Sequence, residues 1–288
     1  MKQPRLDHVQ CLSAGGLHRM AYWEWGDPLN PRVLLCVHGL TRQGRDFDVL
    51  AQALCGQYRV VCPDVVGRGE SDRLPDPKGY AVPTYVADMV TLLARLNAQT
   101  LDWVGTSMGG LIGMGLACLP GSPIRCLVLN DVGPRMEWAA LQRIGQYLGL
   151  PLRWNSFEEA AEAVRLLTLG FGPHTREQWH ALTRPQLRQE ADGRWALRYD
   201  PGIAEPFKQL TAELVAAGQV QLWQAWDRIR APTLILRGAL SDLLTAETAQ
   251  EMSRRGPRPK VQVFEGVGHA PTLVAPDQVQ AVSQFLLA

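Results

Sequence analysis

No stretch of this 288-residue chain is apolar for long enough to span a bilayer. Its first residues, MKQPRLDHVQCLSA, hold no apolar core of secretory-signal length. A cytoplasmic protein without a membrane partner is expected. Charge of one sign is also lacking: 29 Lys and Arg against 28 Asp and Glu leave a formal net charge of +1, so no nucleic-acid partner is expected. The six cysteines (11, 36, 55, 62, 118 and 126) form no CxxC pair, and several sit inside apolar runs. They read as reduced residues packed like small hydrophobes. No repeat or low-complexity tract is present, and neither a cofactor nor a metal is expected.

What is present is a globular composition, 46% hydrophobic and 20% charged, in a chain long enough to bury a substantial core. The stretch that organises it is Leu101 to Cys118, LDWVGTSMGGLIGMGLAC. An apolar run enters the turn Gly105-Thr106-Ser107-Met108-Gly109, and an apolar helical pattern leaves it. G-x-S-x-G between a strand and a helix reads as a nucleophile elbow. A side chain at position 105 or 109 would collide with the neighbouring strand or helix, and glycine has none. The bland alternative is a glycine-rich turn that merely joins two elements.

Strand and helix patterns alternate around this stretch. Two early strands are expected near His8–Leu12 and His18–Trp25. Continuous apolar runs at Val33–Val37, Tyr58–Cys62, Ile124–Leu129 and Pro232–Leu236 are expected as strands buried on both faces. Helices are expected near Phe47–Leu54, Thr84–Asn97, Ala246–Ser253 and Pro276–Leu287, with a last strand at Val261–Phe264. Between Pro134 and Ile229 the rhythm stops. Helices over Trp138–Leu150, Ser156–Leu169 and Thr175–Gln189 and no strand are expected there. The division is thus a core of residues 1–133, a helical insertion of 134–229, and a second part of the core, 230–288. The insertion holds six of the nine tryptophans, which either pack it against the core or line an apolar pocket.

A serine hydroxyl needs a base, and the base needs an acid to orient it. His269 sits in a glycine-flanked loop after the last strand, where open α/β sheets place functional loops. His174 and His180 are expected at the surface, and His38 is expected to brace the loop that follows its strand. Two aspartates compete for the acid. Asp242 follows the run 232–236 and Asp131 follows 124–129, and both keep the order serine, acid, histidine. Strand position favours Asp242, leaving Asp131 to hydrogen bonding within its turn. Backbone N–H groups of Met108 and Leu40 are the expected oxyanion donors.

Taken together, His38-Gly39-Leu40, the run Asp64 to Asp72 (DVVGRGESD), Gly105-Thr106-Ser107-Met108-Gly109-Gly110, Asp242 and Gly268-His269 resemble the α/β-hydrolase superfamily, in its capped branch. The resemblance implies an α/β fold with a mostly parallel eight-stranded sheet flanked by helices. It also implies a helical cap over the active site, and a Gly67–Asp72 loop that braces the site wall. Haloalkane dehalogenases and epoxide hydrolases of this fold carry an aspartate nucleophile, whereas this chain has Ser107. Hydrolysis of carboxylic esters of small, largely apolar substrates is therefore expected, from a monomer or homodimer. The alternatives are a carbon–carbon bond hydrolase acting on ring-cleavage diones and a non-catalytic ligand-binding protein of the same fold.

Overall fold

The computed structural model describes residues 3–288. Its strands are β1 (Arg5–Ser13), β2 (Gly16–Trp25), β3 (Val33–Val37), β4 (Arg59–Pro63), β5 (Leu101–Thr106), β6 (Ile124–Asn130), β7 (Arg153–Trp154), β8 (Leu187–Gln189), β9 (Trp195–Leu197), β10 (Thr233–Gly238) and β11 (Lys260–Phe264). The helices are α1 (Asp48–Leu54), α2 (Val82–Leu96), α3 (Met108–Ala117), α4 (Trp138–Tyr147), α5 (Phe157–Leu167), α6 (Arg176–Thr183), α7 (Ala204–Lys208), α8 (Ala212–Arg228), α9 (Ala246–Arg254) and α10 (Pro276–Leu287).

Eight strands form one sheet in the order β1-β2-β4-β3-β5-β6-β10-β11. The β1–β2 and β2–β4 pairs are antiparallel, and the others are parallel. The continuous apolar runs explain the arrangement, because a strand covered on both faces needs hydrocarbon at every position. In β3, Val33, Leu35 and Val37 join the core under α2 and α3. Leu34 and Cys36 join the core under α1 and α10 on the other face. Trp103 and Val104 of β5, and Leu127 and Val128 of β6, divide the same way. The parallel strands thus all end on one edge, and their outgoing loops meet there.

The insertion departs from expectation at several points, the short helix α7 among them. Strands β7, β9 and β8 form a small antiparallel sheet. At two or three residues each, they are too short to show a period. The helix expected over Thr175–Gln189 stops at Thr183, since Pro185 cannot continue it and a 3-10 turn, Arg184–Gln186, leads into β8. Helix α8 has no counterpart among the expected elements. Its buried positions are Trp223 and Trp226, while its other apolar residues spread over a second face and blur the pattern.

Two glycines of the elbow are fixed by contact. A Cβ on Gly109 would lie 1.9 Å from the Val37 carbonyl oxygen, and one on Gly105 would lie 2.3 Å from the Gly109 oxygen. Helix α3 therefore packs backbone to backbone against both β3 and β5. Gly109→Ala is expected to lower stability by about 3 kcal/mol or more, because the clash is with main chain that cannot rotate away. Urea unfolding of the variant checks this, and a midpoint equal to the parent's would show that the two elements can separate freely.

Candidate active site

Ser107 occupies the turn between β5 and α3 with φ 52° and ψ −116°, a conformation that L residues rarely adopt. The turn is held by its neighbours: the Ser107 N–H donates to Asn130 O (2.9 Å), and Ser107 O accepts from the N–H groups of Gly110 (2.8 Å) and Leu111 (3.2 Å). The side chain is thereby aimed out of the sheet edge. His269 Nε2 lies 3.0 Å from Ser107 Oγ. His269 Nδ1–H donates to Asp131 Oδ2 at 2.7 Å, and this leaves Nε2 as the acceptor for the serine proton.

The sequence preference for Asp242 is corrected by this geometry. Its carboxylate faces α4, where Arg143 Nε and Nη2 each donate to it at 2.9 Å. Both partners of that pair are about half exposed. Asp131 is fully buried and has φ 57°, a left-handed conformation that aspartate tolerates better than most residues. Its N–H donates to Leu236 O in β10. Its carboxylate accepts from the Gly238 N–H (2.9 Å), from the Ser241 hydroxyl (2.6 Å) and from His269. The end of β10 and the loop beyond it, where the acid was expected, supply donors to the carboxylate at the end of β6. The remote contacts that divide the two aspartates leave no local signal in sequence.

The bend at Gly268 completes this arrangement. A Cβ on Gly238 would fall 2.2 Å from Gly268 O, so β10 approaches the His269 loop with backbone alone. Asn130 adds a strut, donating from Nδ2 to Thr106 Oγ1 (3.0 Å) and Pro271 O (2.7 Å). The insertion reaches the same loop from the other side. Gly170 O accepts from the Gly268 N–H at 2.6 Å, and His174 Nε2 lies 2.7 Å from Thr272 Oγ1. His174, expected at the surface, is half-buried and ties the insertion to the His269 loop. His180 is also only partly exposed, with its ring edge-on to Phe157.

The Met108 N–H opens α3, where first-turn amides have no intrahelical acceptor. Leu40 faces Ser107 across the same opening. Arg68 bridges the residues carrying both expected oxyanion donors, and its importance was not legible from spacing. Its guanidinium is buried, donates to Leu40 O (2.8 Å) and Val66 O (2.7 Å), and reaches Met108 Sδ at 3.5 Å. His38 braces the loop between them, as expected of it. Its Nδ1–H donates to Gly39 O (2.7 Å), and Nε2 accepts from the Val65 N–H (2.9 Å).

Two chambers meet at Ser107. One, on the His269 side, is lined by Arg42, Arg143, Tyr147, Phe171, Gln186 and Tyr199. The other, on the Met108 side, is lined by Leu111, Met136, Leu141, Phe207, Leu214 and Leu222. The insertion's tryptophans are not among the lining residues of either. Trp154, Trp223 and Trp226 are buried in packing instead. Away from the site, Cys11, His18 and Asp88 bring three ligand types within 4.8 Å of one another. Hydrogen bonds already join Asp88 to His18 Nε2 (3.0 Å) and to the Cys11 thiol, which accounts for the group without an ion. All six cysteines are free, and no described helix is long and apolar enough to cross a membrane.

A strained serine at a strand–helix elbow, hydrogen-bonded through an imidazole to a buried carboxylate at the edge of a largely parallel sheet, is the signature of one large class of hydrolases. The chain belongs to the α/β hydrolase fold family, which it matches over residues 32–276. It is 57% identical to a 3-hydroxybutyrate-oligomer hydrolase of Cupriavidus necator, over 98% of this chain and 97% of that one. An esterase of Escherichia coli is 24% identical over 89% of this chain and 94% of that protein. A crystal structure of an α/β hydrolase from Novosphingobium aromaticivorans superposes with a TM-score of 0.87 and 35% identity, covering 100% of this chain and 99% of the other.

Burial drives the His38 pKa down to about 3, against about 6.5 for a free imidazole. Between those values the unfolded chain binds a proton that the folded chain does not. The stability tied to neutral His38 is therefore complete above pH 6.5 and is lost as pH falls towards 3. His38→Gln is expected to flatten the pH dependence of stability between pH 6.5 and 4.5, although it lowers stability at pH 7.5. Urea midpoints across that range check it, and a variant curve parallel to the parent's would refute the assignment.

Proposed function

We propose that this α/β hydrolase cleaves carboxylic esters through an acyl-enzyme, with Ser107 as nucleophile, His269 as base and Asp131 as the acid. The observation that carries the reading is the unbroken hydrogen-bonded line from Ser107 Oγ through the imidazole to Asp131. His269 takes the serine proton as Oγ attacks the ester carbonyl. Asp131 keeps the imidazole in the required tautomer and stabilises its charged form. Met108 and Leu40 amides receive the oxyanion, a contribution of about 2.7–4 kcal/mol for each such donor in comparable sites. His269 then protonates the departing alcohol, and the same residue activates water to release the acid.

The substrate class we favour is esters of short hydroxy acids. The strong overall likeness to a 3-hydroxybutyrate-oligomer hydrolase supports it, as do two modest chambers of different polarity flanking the serine. The insertion 134–229 acts in this reading as the cap that supplies most of both linings.

Ser107→Ala is expected to abolish turnover of p-nitrophenyl butyrate and labelling by a fluorophosphonate probe. Retained turnover would remove Ser107 as the nucleophile. Asp131→Asn is expected to lower kcat by about 10⁴-fold, as loss of the orienting carboxylate does in the serine-protease triad. Asp242→Asn is expected to cost less than about tenfold on the same neutral ester, since its half-exposed ion pair is worth little. Steady-state kinetics of the two variants compare them directly, and the reverse ranking would restore Asp242 as the acid.

A further inference from the structure

Ester hydrolysis at Ser107 sends the two halves of the substrate in different directions, and the two chambers differ in a way that sorts them. His269 must hand its proton to the leaving oxygen, so that oxygen comes within hydrogen-bond reach of Nε2. His269 lines one chamber and is absent from the lining of the other. The alcohol half therefore lies in the His269 chamber, and the acyl half extends past Met108 into the apolar one.

The His269 chamber presents guanidinium groups, those of Arg42 and Arg143, and no carboxylate. Arg42 is buried and already committed, with Nε and Nη2 on Asp46 at 2.5 and 2.7 Å, and its guanidinium stacks over Phe171. Arg143 differs. Its Nε and Nη2 are held by Asp242, which lies outside the chamber lining, and its side chain is 45% exposed. A guanidinium carries five N–H donors, so a two-bond pair with one carboxylate leaves donors for a second. Ile144 and Tyr147 follow Arg143 on α4 and line the same chamber, and the Tyr147 hydroxyl adjoins the guanidinium.

We propose that Arg143, positioned by Asp242, binds a free carboxylate on the alcohol half of the substrate. The subsite takes esters whose leaving group is itself a hydroxy acid, and it sets the direction of attack on an oligomer. Cleavage occurs at the last ester bond before the carboxyl end and releases one hydroxy-acid monomer per turnover. Atoms balance as in simple hydrolysis: water adds across the ester, giving the shortened acid and the free hydroxy acid. This inference rests on the esterase reading and refines its substrate.

The test compares the linear dimer of 3-hydroxybutyrate with its terminal carboxamide, using the full chain and the variants Arg143→Gln and Arg143→Lys. The parent is expected to favour the free acid over the carboxamide by tenfold or more in kcat/KM, a contrast on the order of that for one charge-assisted hydrogen-bonded pair. Arg143→Gln is expected to shrink that ratio about tenfold, chiefly through KM for the free acid, and Arg143→Lys to restore part of it. A parent that hydrolyses both compounds equally, or an Arg143→Gln ratio equal to the parent's, overturns the subsite. Turnover of p-nitrophenyl butyrate separates the two levels. If the parent cleaves that neutral ester but shows no carboxylate preference, only the subsite fails. If it cleaves no ester and Ser107 takes no fluorophosphonate label, the esterase reading fails with it.

Discussion

A fully buried carboxylate is expensive unless donors surround it, and Asp131 is the point on which the site end of the sheet depends. Its three donors come from three places: the backbone at the end of β10, the hydroxyl of Ser241 in the loop beyond, and the imidazole in the loop after β11. Removing any one leaves charge without compensation in a dry environment. The ends of β6, β10 and β11 are therefore locked to one another by a single side chain. The elbow at the end of β5 is locked to the same region through the Ser107 N–H on Asn130.

Close backbone approach is what allows so many loops to converge. Gly109 lets helix α3 touch the end of β3, and Gly238 lets β10 touch the bend at Gly268. Neither contact contributes much attraction of its own. Each removes a side chain's width from the geometry, and that width is about the difference between a hydrogen-bonded Ser107–His269 pair and two residues out of reach.

Much of this was legible in the sequence, for physical reasons. Strands buried on both faces are apolar at every position, so β3, β4, β6 and β10 declare themselves. The glycines of the elbow declare a close approach, and a glycine-flanked histidine after the last strand declares a loop at the working edge. The choice between Asp131 and Asp242 was not legible, since both follow a strand of the parallel core and both keep the same chain order. Two things set their surroundings apart: a left-handed backbone at Asp131, whose carboxylate meets His269, and the pairing of Asp242 with an arginine 99 residues away. The insertion was read less well. Its strands are too short to carry a period, and α8 spreads its apolar residues over packing and chamber faces. Its tryptophans went to packing, while leucine, phenylalanine and methionine line the apolar chamber.

The junction between the insertion and the His269 loop has a mechanical consequence. Gly170 accepts from the Gly268 N–H, and His174 is paired with Thr272, so the loop that carries His269 is anchored to the insertion as well as to the sheet. The segment that lines much of both chambers and the loop that carries His269 are fastened to each other. Any outward movement of that segment strains these two fastenings and so bears on the position of the His269 ring.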